Sequence, residues 1–176
     1  MLLHSRIFTG IALAALVTSL GAAQAPAHLR DAHAGVATAA PAPDSAHIAA
    51  ALAAANEQLV HGRVREAMRA FHSVAAEQRA AGDYPLEALR RLASLQFGVE
   101  KELDAAHTLD ELASAAQEFG DPATRLQALF DAAIIYQKLR VNDRMPERVR
   151  QISQLLKSPA IDAQLRAEIS SRLVRG

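Results

Sequence analysis

Seven histidines are the first residues in this 176-residue chain whose type suggests chemistry. A zinc-type centre needs imidazoles or carboxylates at fixed offsets, such as two histidines one helical turn apart. His61, His72 and His107 stand too far apart, and neither H-x3-H nor H-E-x-x-H occurs. The exception is at the N-terminus. Cleavage after Ala25 would leave Pro26-Ala27-His28, whose free amine and third-position imidazole suit square-planar Cu(II) or Ni(II). The serines occupy helices or caps without G-x-S-x-G or S-x-x-K. The chain has no cysteine, which removes a thiolate nucleophile, disulfides, thiolate metal sites and a lipidated N-terminal cysteine. Glu100, Glu102 and Asp104 precede a helix whose N-terminal dipole they favour. Arg63, Arg65 and Arg69 form a basic stripe too short for a nucleic-acid or membrane footprint. The expectation is a non-enzymatic chain with no catalytic residues, cofactor or metal.

The elements that carry these residues are helical. Hydrophobic residues make up 51% of the chain, much of it alanine, and only 4% are aromatic. Alanine is the best helix former and buries little area, so closely packed helices are expected rather than a deep bulky core. A sheet would need alternating β-branched and aromatic residues. Basic and acidic residues balance at 19 each, so no nucleic-acid partner is expected.

Residues 1–25 have the three parts of a secretory signal peptide. Met1 to Arg6 is short and basic, Ile7 to Leu20 is apolar, and Gly21-Ala22-Ala23-Gln24-Ala25 is small. The apolar run falls short of the ~20 residues of a membrane span. Ala23-Gln24-Ala25, Gly21-Ala22-Ala23 and Ala25-Pro26-Ala27 all offer a cut site, and retention as an anchor is the other reading. A periplasmic or secreted location follows, with no membrane span after signal removal. Residues 26–44, ending Ala40-Pro41-Ala42-Pro43-Asp44, favour an extended flexible linker.

Residues 45–176 then read as one helical-repeat domain. Helix-start signals at Ser45, Asp83, Asp121 and Ser158 stand 38, 38 and 37 residues apart, and periods of this size mean stacked units. Each unit has two apolar stripes at helical spacing, with Leu103, Val149 and Leu173 among the inward positions. Breaks are expected at Gly62, around Gly98 to Lys101, and at Val141-Asn142-Asp143. A last helix over 160–174 would close the array with a polar outer face.

The segment Leu59 to Phe71 resembles the centre of a tetratricopeptide (TPR) unit. It has glycine at the inter-helix turn (Gly62), alanine five residues later (Ala67) and an aromatic four after that (Phe71), with small Ala55 on the preceding helix. The second unit fits with Ala93, Ala105 and Leu109 but has no turn glycine. The third fits with Ala133, Tyr136 and Val149, and Met145 replaces the small residue. The resemblance covers residues 45–157. It implies an all-α, right-handed α-α superhelix: a TPR-like solenoid of three helix hairpins plus a C-terminal capping helix. It also implies that the first helix of each hairpin lines a groove for a protein or peptide. The groove residues carried over are Asn56, Arg90, Ser94, Phe97, Gln127, Phe130 and Gln137. Apolar groove positions such as Leu52, Leu59, Phe130 and Ile134 have the alternative role of packing between hairpins. The function expected is an adaptor or scaffold that binds a protein or peptide. The alternative is a self-associating structural component of the cell envelope.

Overall fold

The computed structural model describes residues 45–141, 143 and 145–175. The expected signal peptide and linker lie outside these residues, as do the Pro26-Ala27-His28 segment and Asn142. Among the described residues the regular structure is entirely helical. The seven helices are α1 (Ser45–Val60), α2 (Val64–Ala81), α3 (Leu86–Gly98), α4 (Glu102–Glu118), α5 (Pro122–Lys138), α6 (Met145–Leu156) and α7 (Ala163–Arg175). None is long and apolar enough to cross a membrane.

The first five helices end in the same way. A residue in the left-handed conformation follows each: Gly62, Gly82, Glu100, Gly120 and Arg140, with φ of 70°, 77°, 63°, 69° and 58°. Its amide donates to the carbonyl three residues back, and the next amide donates to the carbonyl five before it. At Gly62 these bonds are Gly62 to Leu59 (2.9 Å) and Arg63 to Gln58 (2.8 Å); at Glu100 they are Glu100 to Phe97 (3.1 Å) and Lys101 to Gln96 (2.8 Å). This Schellman closure satisfies carbonyls that a helix end leaves open. The left-handed residues stand 20, 18, 20 and 20 positions apart, so the stops repeat as regularly as the starts. Where glycine was missing from the second unit, Glu100 takes its place despite the steric cost to an L-residue. After α6 the pattern stops, and Lys157 and Ser158 bond back to Gln154 and Leu155 instead.

The starts are less uniform than the sequence suggests. Asp121 caps α5, its Oδ1 accepting from the Thr124 amide at 3.0 Å with Pro122 in the first turn. Asp83 does not cap α3. The N-cap position is Pro85, with no side-chain bond. Tyr84 adds one residue between acid and proline, which moves Asp83 beyond reach of the helix amides. Ser158 does not cap the last helix either. Its Oγ accepts from Ala160 at 3.3 Å in a short turn, and Asp162 caps α7 by accepting from Gln164 (2.7 Å) and Leu165 (3.3 Å). The last helix therefore begins at Ala163 rather than Ala160.

The dense contacts join consecutive helices, from α1–α2 through α5–α6. Ala55, Ala67, Phe71 and Leu92 form one small buried cluster. A larger one runs from Ile48 through Leu89, Leu109, Leu126 and Tyr136 to Ile152 and Ile169. Alanines at 0% exposure, such as 88, 105, 106 and 132, let neighbouring helices approach closely. Three inward expectations fail, because Leu103, Val149 and Leu173 are exposed. On α6 the buried stripe passes through Arg148 and Ile152, which turns Val149 one position outward. On α4 the buried face begins at Ala105 and Ala106, a turn after Leu103.

Candidate functional site

Side chains from alternate helices bridge successive hairpins. Between α3 and α5, Arg90 donates to the Thr124 hydroxyl at 3.2 Å. Just before those helices, Tyr84 stacks on Phe119, with ring centroids 4.9 Å apart, and donates to Asp121 Oδ2 at 3.3 Å. Between α2 and α4, Arg79 meets Glu111 at 3.3 Å. Between α4 and α6, Arg148 meets Asp110. Burial works against the charged Asp121. The Thr124 hydroxyl and amide, the Tyr84 hydroxyl and nearby Arg90 outweigh it and hold the carboxyl below its ordinary range. Burial, then the Asp121 charge, pushes the Tyr84 phenol up.

The Arg148 site is the most enclosed. Arg148 is 6% exposed and donates through Nε to Asp110 Oδ1 at 3.2 Å and through Nη2 to Oδ2. Its guanidinium lies 4.1 Å from the Tyr136 ring centroid, and the Tyr136 hydroxyl donates to Asp110 Oδ2 at 3.0 Å. Helices α4, α5 and α6 thus share one ion pair. Nothing in the sequence marks Arg148 as buried, since its partner stands 38 residues away and arginine rarely leaves water unpaired.

The residues expected on the groove face have varied settings. Asn56 turns back on its own helix and donates to the Leu52 carbonyl at 2.9 Å. Gln127 is held by Asp131, 2.9 and 3.0 Å from its two oxygens. Arg90 is exposed but bonded to Thr124. Ser94 and Phe97 are half-buried, with Lys138 5.9 Å from the Phe97 ring centroid. Gln137 is exposed. Phe130 is 3% exposed and lies in the core beneath the Arg172 guanidinium, 4.8 Å from its ring centroid. Its role here is packing α5 against α7 rather than offering an aromatic surface. Asp131, on the same helix, is raised above the ordinary carboxylate range, chiefly by burial and in part by the Glu168 charge.

A concavity lies away from these residues. A cleft of about 1090 Å³ is bounded by the first half of α2, the second half of α3 and the turn into α4. Arg63, Arg65, Arg69 and Lys101 line it together with Glu66, over Met68, Leu92 and Val99. The basic stripe was visible in the sequence. The cleft was not, because three elements make it. No group of three His, Asp or Glu side chains among the described residues is placed to hold a metal ion.

No family model, curated protein or solved structure matches this chain.

Proposed function

We propose that the chain is an exported, non-enzymatic interaction module, an adaptor or scaffold working in the periplasm or outside the cell. Its hairpins stack in a TPR-like right-handed superhelix closed by α7, and it binds a protein or peptide partner across the stacked helices. The observation that carries this reading is the bridging of alternate helices: α3 to α5 through Arg90 and Thr124, α2 to α4 through Arg79 and Glu111, and α4 to α6 through Asp110 and Arg148. Such bridges turn like helices toward one another, which is how repeats build a continuous binding surface from units that cannot fold alone. The TPR-like signature residues Ala55, Ala67 and Phe71 also meet in one buried cluster. Among the described residues, Ser94 and Gln137 are the expected groove positions that keep access to solvent with no side-chain hydrogen bond to another side chain, and Arg90 shares α3 with Ser94.

Affinity capture from an envelope extract, comparing the wild type with Ser94→Arg/Gln137→Arg, tests the reading. Loss of a partner by the variant is expected. Recovery unchanged by the variant removes this face as the binding surface. The exposed alanines 49, 50, 53 and 54 on α1 favour a second reading, a structural component that stacks through its first helix. Light scattering separates the two: a concentration-dependent oligomer lost with Ala50→Glu/Ala53→Glu would support stacking.

A further inference from the structure

We propose that the cleft between α2, α3 and α4 binds an acidic segment of a partner protein in which apolar side chains alternate with carboxylates. The inference rests on the interaction-module reading and assigns that partner a chemistry and a second surface. The lining carries four fixed cations, Arg63, Arg65, Arg69 and Lys101, against the single carboxylate of Glu66. Arg69 is paired with Glu66 at 3.3 Å, and Lys101 with Asp104 at 3.7 Å. Arg63 and Arg65 are exposed and have no carboxylate within ion-pair range among the described residues. The chain as a whole is neutral, so this concentration of unpaired positive charge is local to the cleft.

Guanidinium groups bind carboxylates in a planar, two-point fashion that lysine cannot reproduce. Beneath them, Met68, Leu92 and Val99 supply an apolar floor, and Val99 is 41% exposed at the turn. Methionine adapts its shape to irregular partners. Inorganic anions or a polyphosphate backbone would use the rim and leave that floor uncovered. A peptide with both carboxylates and aliphatic side chains covers both. The volume, about 1090 Å³, slightly exceeds the roughly 300–1,000 Å³ of small-ligand pockets, which is room for several side chains of an extended segment.

The test uses the purified full chain and two fluorescent peptides, one alternating glutamate with leucine and the other with glutamine in place of glutamate. The glutamate peptide is expected to bind, with an affinity that falls as salt rises. Arg63→Glu/Arg65→Glu should weaken it by about tenfold or more, with helical content unchanged by circular dichroism. Should that double variant unfold, Lys101→Glu carries the same comparison. The glutamine peptide should bind weakly, and Ser94→Arg/Gln137→Arg should leave binding as it was. Equal binding of the two peptides, or full binding by the charge-reversed cleft, overturns the proposal. So does capture of the chain by anionic lipid vesicles while the peptide fails to bind. In cells, a partner retained by the cleft variant but lost by Ser94→Arg/Gln137→Arg also overturns it, and leaves the module reading standing.

Discussion

Arg148 holds a charge where the surrounding helices offer little water, and Asp110 with Tyr136 makes that tolerable. Removing one partner of such a pair leaves the other charged and desolvated. Arg148→Ala or Asp110→Ala is therefore expected to cost about 3 kcal/mol, read from urea unfolding. Asp110→Leu/Arg148→Met should recover most of that loss, because an apolar pair of similar volume removes both charges at once. A double variant as unstable as the singles would mean that the ion pair contributes geometry apolar packing cannot replace. Asp131 behaves in the opposite sense. Its carboxyl holds a proton more tightly in the fold than in the unfolded chain. The stability present with the proton bound is lost as pH rises from about 4 through the raised folded value. Asp131→Asn keeps an oxygen for Gln127 and removes that loss. It should raise Tm at neutral pH and give no gain at pH 3.

The ends of the helices decide where one hairpin gives way to the next. Glu100 and Arg140 occupy the left-handed stop that glycine fills at positions 62, 82 and 120. Glu100→Gly and Arg140→Gly should each stabilise by roughly 0.5–1 kcal/mol, since relief of the steric cost exceeds the entropy that glycine adds to the unfolded chain. Lowered stability in both would show that those side chains contribute more than their backbone costs. At the starts, Asp121→Ala should cost about 1–2 kcal/mol and Asp83→Ala almost nothing, because Asp121 meets a helix amide and Asp83 does not. Asp121 is held below its ordinary range, so its contribution is present above about pH 4 and lost as pH falls through the folded value. Acid should therefore narrow the difference between wild type and Asp121→Ala. The element boundaries were legible wherever glycine or an Asp-Pro pair announced them. They were misread at Asp83, where one inserted tyrosine moves the acid out of reach. They were also misread at Ser158, where Asp162 lies nearer the amides. Nothing in residue type marks Glu100 or Arg140 as left-handed, because only their place in the repeat demands it.

At the scale of the whole chain, helical class could be read from alanine content, and the regular spacing of helices from helix-start signals 37 or 38 residues apart. Surface chemistry could not be read as fully. Phe130 had two readings, groove or packing, and lies in the core, because an aromatic at helical spacing looks the same in either role until Arg172 of α7 is seen over its ring. The cleft is not legible in the sequence, because Arg63, Val99 and Lys101 come to line one space only once α2, α3 and α4 are folded together. The central claim is that this array exists to hold another protein. Its most direct test places a photo-crosslinking residue in turn at Ser94, Gln137, Met68, Val99 and, as a control on α6, Ser153, in cells expressing the full chain. The account predicts adducts with a different protein from the groove or cleft positions and none from Ser153. Adducts confined to multiples of the chain itself, or no adduct from any of the four, would contradict it.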